Sequence, residues 1–267
     1  GAEAKPGAVD FLMRRMKRDV AKELPAKIER IAYCTLSGDQ QRVYRELLES
    51  SRRRIADMVA QRGFDASRME ILRTLLRLRQ TCCHLDLLHL EDLHSEFPSA
   101  KMDLMFELLD EALDGGHRVL VFSQFVSMLT ILRAEMDRRQ WRYCYLDGAT
   151  QDRMSVVKQF NSDRQIPVFL ISLKAGGMGL NLVGADMVVH YDPWWNPAVE
   201  NQATDRAYRI GQKRTVYSVK LIARETVEER VVAMQRRKQE VIDAAVQAGS
   251  AAIHRMSWDD VKEILEL

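Results

Sequence analysis

Short β-rich runs alternate with amphipathic helical patterns from about residue 99 to residue 222, and this alternation restricts the possible folds more than any other feature. The β-rich runs are "HRVLVFSQ", "YCYLDG", "PVFLIS", "MVVHYD" and "TVYSVKLI". The helical patterns cover residues 99–116, 125–139, 151–161 and 197–209. This order predicts a doubly wound parallel α/β sheet flanked by helices, in which ligands gather at the carboxyl ends of the strands.

The first hundred residues lack this alternation and are predicted to be mainly helical. "LSGDQQRVYRELLESSRRRIADMVAQRG" has an N-cap residue at Ser37, a long amphipathic run and a glycine stop at Gly63. A second helix is predicted over "SRMEILRTLLRLRQTCCHLDLL", whose apolar stripe comprises Ile71, Leu72, Leu75, Leu76 and Leu78. An all-α segment therefore precedes the predicted sheet.

The composition is that of an ordinary globular protein, with 46% apolar and 29% charged residues in a chain of 267. A formal net charge of +2 does not by itself indicate a nucleic-acid-binding protein. Lysine and arginine are clustered in residues 11–30, in "SRRR" at 51–54 and in "RRK" at 236–238. Each cluster is interpreted first as a solvated helix face. No 18-residue apolar run or signal-peptide pattern is present, so no membrane partner is expected.

Four cysteines are too few for a disulfide framework in a chain of this size, and a reducing cytosol is the simplest setting. Cys82, Cys83 and His84 are adjacent in "TCCHLDLL" and lack the C-x₂-C spacing of a structural zinc site. We therefore predict a buried helix end at this position and no metal site.

The segment "QATDRAYRIGQKR" places Gln202, Asp205, Arg206 and Arg209 at i, i+3, i+4 and i+7, which is one face of a helix. Such a polar face cannot pack a core. Guanidinium groups bind phosphate oxygens bidentately, and two of them roughly 4.5 Å apart along a helix axis could meet neighbouring phosphates of a nucleotide. A solvent-exposed helix with an Asp205–Arg209 ion pair explains the pattern equally well.

Two loops precede this segment in the sequence. "SLKAGGMGLNL" (172–182) matches neither the Walker A pattern nor G-x-G-x-x-G, so it is not a primary phosphate cradle, although Lys174 could meet a DNA phosphate. A tight turn is an equally good interpretation. In "HYDPWWNPAVENQ" two prolines bracket two tryptophans, and packing of both rings under the next helix is favoured. Otherwise Trp195 is the better candidate for burial, and Trp194 is available for stacking.

The order of these motifs resembles the second RecA-like lobe of Swi/Snf-type ATPases, which are double-stranded-DNA translocases of helicase superfamily two. The resemblance rests on "VLVFSQF", "YLDGATQDRM", "FLISLKAGGMGLNLVGAD", "YDPWWNPAVENQATDRAYRIGQKR" and "VYSVKLIARETVEERV", and upstream on "FLMRRMKRDVAKELPAKIE", "LSGDQQRVYRELL" and "LLRLRQTCCHLDLL". It extends from about residue 10 to residue 245. It implies that the chain has four segments: an interlobe linker (1–36), a helical insertion (37–98), the second lobe (99–247) and a C-terminal helical tail (248–267). The second lobe is implied to contain a RecA-like sheet.

The resemblance also implies roles for individual residues. Arg206 and Arg209 are implied to be arginine fingers that reach ATP across the cleft between two lobes. Residues implied to border the nucleotide or the cleft are Gln202, Asp205, Gly177, Gly179 and Asn181. Residues implied to contact DNA are Ser123, Gln124, Asp147, Gly148, Thr150, Lys174, Ala175 and Trp195.

The sequence departs from the family at Leu85, where relatives often have proline, and at Trp194, where a small or polar residue is common. The larger departure is the lack of a Walker A motif and of an Asp-Glu-Ala-His-like run. ATP and Mg²⁺ are therefore expected to be bound mainly by a first RecA-like lobe that this sequence does not contain. The chain alone is expected not to hydrolyse ATP.

The expected partners are double-stranded DNA, the first lobe of the same protein and DNA-bound proteins such as RNA polymerase. The expected location is the cytoplasm, with the nucleoid in a bacterium, or the nucleus in a eukaryote. Two other interpretations remain open. One is a stand-alone DNA-binding or protein-docking module. The other is a dinucleotide oxidoreductase, against which the missing glycine fingerprint argues.

Overall fold

The computed structural model describes residues 24–90, 93, 95–176, 179–194, 196–247 and 257–267. The strands are β1 (Lys27–Cys34), β2 (Val119–Ser123), β3 (Tyr143–Leu146), β4 (Val168–Ser172), β5 (Met187–His190) and β6 (Val216–Ala223). The helices are α1 (Gly38–Arg62), α2 (Phe64–Cys83), α3 (Ala100–Asp114), α4 (Val126–Arg138), α5 (Arg153–Ser162), α6 (Leu173–Gly176), α7 (Pro197–Thr204), α8 (Val227–Gln247) and α9 (Trp258–Leu265). A 3₁₀ turn, Leu85–Leu88, follows α2.

The six strands form one parallel sheet in the order β1-β6-β5-β2-β4-β3. Alternate residues of β2 enter two different core layers. Val119 and Val121 pack in one layer with side chains of α3 and α4, and Leu120 and Phe122 pack in the other with side chains of α5 and α7. The sheet is thus covered by helices on both faces, which explains the fully buried β2, β4 and β5. The predicted doubly wound α/β fold is confirmed.

β1 corrects the sequence-based prediction, because residues 27–34 were assigned to the interlobe linker. These eight residues pair with β6 in parallel along their whole length, from Lys27 opposite Val216 to Cys34 opposite Ala223. The strand lies at the sheet edge and is only partly buried, so its sequence "KIERIAYC" carries charges instead of a continuous apolar run. The sheet therefore begins before the helical insertion, and the chain leaves it after one strand. The other domain limits stay predictions.

The helical insertion forms as the capping residues predict. Ser37 caps α1 in a reciprocal capping box with Gln40, and Gly63 separates α1 from α2 with a positive φ of 79°. The apolar stripe of α2 is narrower than predicted, since Leu72 and Leu76 are 44% and 43% exposed.

The end of α2 is buried, as predicted. Cys82, Cys83 and His84 lie in the interior, and the His84 side chain accepts a hydrogen bond from the backbone N–H of Asp86. The backbone N–H of Leu85 donates to the carbonyl oxygen of Pro98 at 3.1 Å. A proline has no N–H and could not make this bond.

A buried ion pair connects α3 to α8. Lys101 at the start of α3 and Glu228 at the start of α8 have side chains with no solvent exposure, and Nζ lies 2.6 Å from Oε1. Burial alone would lower the pKa of Lys101, but the charge of Glu228 raises it above its usual value. Further along the chain, α9 packs against α2 and α8 through Val261, Ile264 and Leu265. Among the described residues, no helix combines the length and apolarity required to cross a bilayer.

Candidate functional site

The helix that carries the polar face is shorter than predicted. α7 begins with Asn196 as the N-cap residue and Pro197 at the first helical position, and it ends at Thr204 instead of residue 209. The carbonyl oxygen of Arg206, which a continuing helix would bond to residue 210, accepts instead from the backbone N–H of Leu182 at 2.9 Å. Arg206 and Arg209 therefore lie in tight turns that follow the helix.

The four residues of the predicted face differ in exposure, and the charges of Asp205 and Arg209 both act on Arg206. Gln202 and Arg209 are exposed, Asp205 is half-buried, and Arg206 is only 8% exposed. Burial lowers the pKa of Arg206, the positive charge of Arg209 acts in the same direction, and Asp205 opposes both. Two guanidinium groups that repel each other at a partly desolvated position favour binding of an anion.

The glycine loop is bonded directly to the arginine turns. Arg209 Nη1 donates to the carbonyl oxygen of Gly179 at 3.3 Å, and Gly179 has a positive φ of 64°. Together with the bond between Leu182 and Arg206, this contact joins the loop and the turns into one surface. The carbonyl oxygen of Asn181 accepts from Asn161 Nδ2 at 2.8 Å, while its side chain stays exposed.

Part of the loop is helical, because residues 173–176 form the single turn α6. Lys174 is exposed on this turn. Ala175 was implied to contact DNA, but its side chain is 2% exposed and packs in the core. That expectation is wrong for the side chain. Gly177 lies outside the described residues.

Gln212 is central to this surface and was missed in the sequence. Its Nε2 donates to the carbonyl oxygens of Ala185 at 2.8 Å, Ala207 at 3.2 Å and Val183 at 3.3 Å. Its Oε1 accepts from the backbone N–H groups of Lys213 and Arg214, both at 2.9 Å. The buried Gln212 amide thus connects the arginine turns to the segment between the glycine loop and β5. The only available signal was its position directly after Gly211 in "RIGQKR".

A second polar cluster lies at the carboxyl ends of β2 and β5. Asp192 accepts from Ser123 Oγ at 2.5 Å through Oδ1 and from the Gln124 backbone N–H at 3.2 Å through Oδ2. Burial raises the pKa of Asp192, and the charge of Arg79 opposes this shift. Ser123 is 1% exposed and its hydroxyl is engaged, so the expectation that it contacts DNA is not met in this conformation.

Gln124 differs from Ser123. Its side-chain Nε2 is buried and has no hydrogen-bond partner in the described part of the chain. An unpaired buried amide donor is costly unless a ligand or water accepts from it. Gln124 is therefore the better candidate for a contact at this strand end.

The turn after β3 is organised by its own aspartate. Asp147 Oδ1 accepts from the backbone N–H groups of Ala149 at 2.9 Å and Thr150 at 3.1 Å, and Tyr145 donates 2.8 Å to Oδ2. These bonds, that of Tyr145 foremost, lower the pKa of Asp147. Thr150 Oγ1 accepts in return from the Asp147 N–H at 3.0 Å. Gly148 is left exposed at the tip, so Asp147 and Thr150 shape the turn that presents it.

The tryptophan loop is held by three neighbouring elements. The backbone N–H of Trp194 donates to Glu200 Oε1 at 2.8 Å, and its carbonyl oxygen accepts from Gln235 of α8. Arg79 of α2 donates to the carbonyl oxygen of Pro193. The Trp194 ring is half-buried against the core, as the favoured interpretation expected for this ring, and the alternative of an exposed stacking platform is not met. Trp195 lies outside the described residues.

The charge of the site suits the phosphate groups of a nucleotide. Among the described residues, no three His, Cys, Asp or Glu side chains are grouped as metal ligands would be. Arg206 and Arg209 instead offer guanidinium donors beside a glycine loop. Such donors can bind phosphate oxygens bidentately.

Comparison with known proteins gives two family matches. The helicase conserved C-terminal domain matches residues 100–211, and the SNF2-related domain matches residues 7–87. An uncharacterized ATP-dependent helicase of Mycoplasma genitalium is 34% identical over 258 residues, which are 96% of this chain and 24% of that protein. The chain thus spans about a quarter of the length of the curated relatives that it matches.

Two solved structures from Sulfolobus solfataricus resemble the whole chain. Its SWI2/SNF2 ATPase core in complex with double-stranded DNA is 32% identical with a TM-score of 0.73, covering 96% of this chain and 54% of that one. Its SWI2/SNF2 ATPase C-terminal domain is 28% identical with a TM-score of 0.69, covering 90% and 99%. A dinucleotide oxidoreductase is inconsistent with these matches. Together with the six-stranded parallel sheet, they establish that the chain belongs to the Swi/Snf-type ATPases of helicase superfamily two, as their C-terminal RecA-like lobe.

Proposed function

We propose that this lobe completes the ATP site of a double-stranded-DNA-dependent ATPase and translocase, with Arg206 and Arg209 as its arginine fingers. The observation that carries the proposal is the bonding of both arginines to the glycine loop, through the Arg206 carbonyl oxygen and the Arg209 guanidinium. A finger must be held in place before charge develops on the transferred phosphoryl group. These bonds restrain both residues.

The two arginines have different roles in this proposal. Arg206 is nearly buried, and burial with a neighbouring cation disfavours its charged form, so an incoming phosphate relieves that penalty. Arg209 is exposed and can extend across a cleft towards the γ-phosphate. Bound magnesium would neutralise charge on the phosphates, and its ligands would come from the first lobe, where the family has its acidic motif.

DNA contact is proposed for the exposed or unpaired groups at the carboxyl ends of the strands. These are the Lys174 ammonium, the Gln124 amide and the turn tip at Gly148. All of them suit phosphate oxygens, so binding should be largely independent of sequence and should weaken as salt rises. The complex of the Sulfolobus solfataricus ATPase core with double-stranded DNA supports this proposal. Such a protein would work at the nucleoid or in the nucleus.

Hydrolysis would be coupled to DNA through the glycine loop. The loop begins at α6, which carries Lys174, and ends at Leu182, which bonds the Arg206 backbone. A shift of the arginines on phosphate binding would therefore move the DNA-facing turn by a direct bonded route. The proposed cycle opens and closes two lobes and moves them along the DNA backbone without strand separation.

The test is ATP turnover with duplex DNA, measured for this chain alone and for its mixture with a separately produced first lobe. We expect no turnover by the chain alone and DNA-stimulated turnover by the mixture. Turnover by the chain alone that survives stringent purification and is lost in Arg209→Ala would point to a nucleotide site of its own. A stand-alone DNA-binding module would instead bind duplex and gain no activity on mixing.

A further inference from the structure

A concave basic groove lies at the amino edge of the sheet, whereas the proposed DNA contacts lie at the carboxyl ends of the strands. Its walls come from segments that directly precede strands: residues 116–118 before β2, Pro167 before β4, residues 183–184 before β5 and residues 211–214 before β6. Because all strands are parallel, these segments meet at the amino edge of the sheet. The groove has a volume of about 600 Å³.

The charge of the groove is one-sided. Four Lys or Arg residues and one histidine line it, and no Asp or Glu does, although the whole sequence is nearly balanced with 40 Lys and Arg against 38 Asp and Glu. A second groove, between α1 and the start of α8, is lined by four arginines and four glutamates. The positive charge at the amino edge is therefore a local property and not a consequence of composition.

The cations of the groove fall into two classes. Arg118 is committed to the fold, since its guanidinium donates to the carbonyl oxygens of Phe160, Asp163, Ile166 and Gly184. His117 and Arg214 share the carboxylate of Asp186, each at 2.9 Å from Oδ2. Each of these three residues has a partner within the protein.

Arg164 and Lys213 form the second class. Both side chains are exposed, and neither has a hydrogen-bond or ion-pair partner among the described residues. Burial lowers the pKa of Arg118, and the nearby charge of Arg164 acts in the same direction, whereas the charges of Asp163 and Asp186 oppose this shift. Two exposed, unpaired cations in a groove that no Asp or Glu lines attract a polyanion.

We propose that this groove binds the phosphate backbone of duplex DNA through Arg164 and Lys213, as a contact separate from the proposed ATP-coupled one. Duplex DNA carries a charge about every 1.7 Å along its axis, and the two unpaired cations can neutralise some of these phosphates. Lys213 belongs to the same segment as Arg209, and the buried Gln212 amide fixes its backbone, so the DNA contact and the arginine turns share one rigid connection. The contact needs no nucleotide and stands independently of the proposed ATPase activity.

The test uses this chain without nucleotide and a labelled short duplex, titrated by fluorescence anisotropy at several salt concentrations. The variant Arg164→Gln/Lys213→Gln should bind more weakly, and its slope of log affinity against log salt should fall by about 2, one unit per lost phosphate contact. The matched control is Arg53→Gln/Arg62→Gln, which removes two exposed arginines from α1. It should leave the slope unchanged.

Acetylation of surface lysines locates the contact directly. Duplex should protect Lys213 from acetylation and leave Lys262 of α9 reactive. An unchanged slope in the groove variant, an equal loss in the control or full reactivity of Lys213 would each overturn the proposal. Binding of polyglutamate that is lost in the groove variant, with DNA binding unchanged, would overturn it in favour of an acidic protein segment. Failure of the ATPase test leaves these readouts unaffected, so the two proposals fail separately.

Discussion

Arg79 of the helical insertion donates a hydrogen bond to the carbonyl oxygen of Pro193, at the start of the loop that leads into α7. The same guanidinium lies 4.0 Å from Asp192 Oδ2, and both side chains are buried. Asp192 in turn holds the end of β2 through Ser123 and Gln124. Arg79 therefore connects the helical insertion to the loop after β5 directly, and to the end of β2 through Asp192.

Arg79→Met should destabilise the protein by about 3 kcal/mol at neutral pH, because it leaves the Asp192 carboxylate buried without its cation. The loss should shrink at acid pH. The raised pKa of Asp192 means that the folded state keeps its proton to higher pH than the unfolded state, so ionisation costs stability as pH rises. Urea unfolding at pH 5 and pH 8 measures both effects. Arg73→Met, on the exposed face of α2, should cost less than about 1 kcal/mol. Equal losses in the two variants would contradict the role assigned to Arg79.

Arg209→Ala in the assembled two-lobe protein should lower ATP hydrolysis by about 10³–10⁵-fold and spare ATP binding, as loss of an arginine finger does elsewhere. Turnover with duplex DNA and nucleotide binding by a fluorescent analogue measure the two properties separately. Arg53→Ala on α1 removes an exposed arginine far from the loop in sequence and should change neither. Retained DNA-stimulated turnover in Arg209→Ala would refute the finger assignment.

Gln212→Ala should lower the free energy of unfolding by about 1–3 kcal/mol, because it strips the donor from buried carbonyl oxygens of Val183, Ala185 and Ala207. Gln212→Glu should also destabilise, since a carboxylate keeps the acceptor and loses the donors. The midpoint of urea unfolding reports both changes. Gln202→Ala, at an exposed position, should stay within about 0.5 kcal/mol of the parent. If Gln212→Glu unfolded at the same urea concentration as the parent, the hydrogen bonds donated by Gln212 Nε2 would make no contribution to stability.

His190 should make stability depend on pH below neutrality. Burial, with the nearby charge of Lys220, lowers the pKa of His190 to about 3, and its Nε2 lies 2.9 Å from Thr204 Oγ1. The unfolded state then binds the extra proton first, so stability is lost as pH falls below the unfolded pKa of about 6.5. Each pH unit between 6.5 and 5 should cost about 1.4 kcal/mol per proton.

His190→Gln should reduce the slope of the unfolding free energy against pH by the contribution of this one proton. Burial also lowers the pKa of His84, which acts in the same direction, so the difference between parent and variant isolates His190. A variant slope equal to that of the parent between pH 6.5 and 5 would show that His190 is already protonated in the folded state.

Local pattern was enough to predict most elements of the sheet. The runs that became β2, β4 and β5 are continuously apolar because both sides of each strand are covered, and Ser37 and Gly63 mark the limits of α1 through capping. β1 escaped prediction because an edge strand buries little, so Glu29 and Arg30 interrupt its pattern. The end of α7 escaped too. No feature of residues 197–209 indicates that the Arg206 carbonyl oxygen will accept a hydrogen bond from the backbone N–H of Leu182.

The sequence by itself determined the α/β class, the order of the strands from β2 to β6, the family and the two arginines at the candidate phosphate site. These depend on periodicity, capping and motif order, which are local in the chain. Tertiary structure alone decided that Ser123 is bonded to Asp192, that Ala175 is packed in the core, and that Arg79 and Gln212 hold the loops. The physical reason is that the partners of Arg79 and Gln212 are backbone carbonyl oxygens. Every residue carries one, so only the folded arrangement selects which of them accepts.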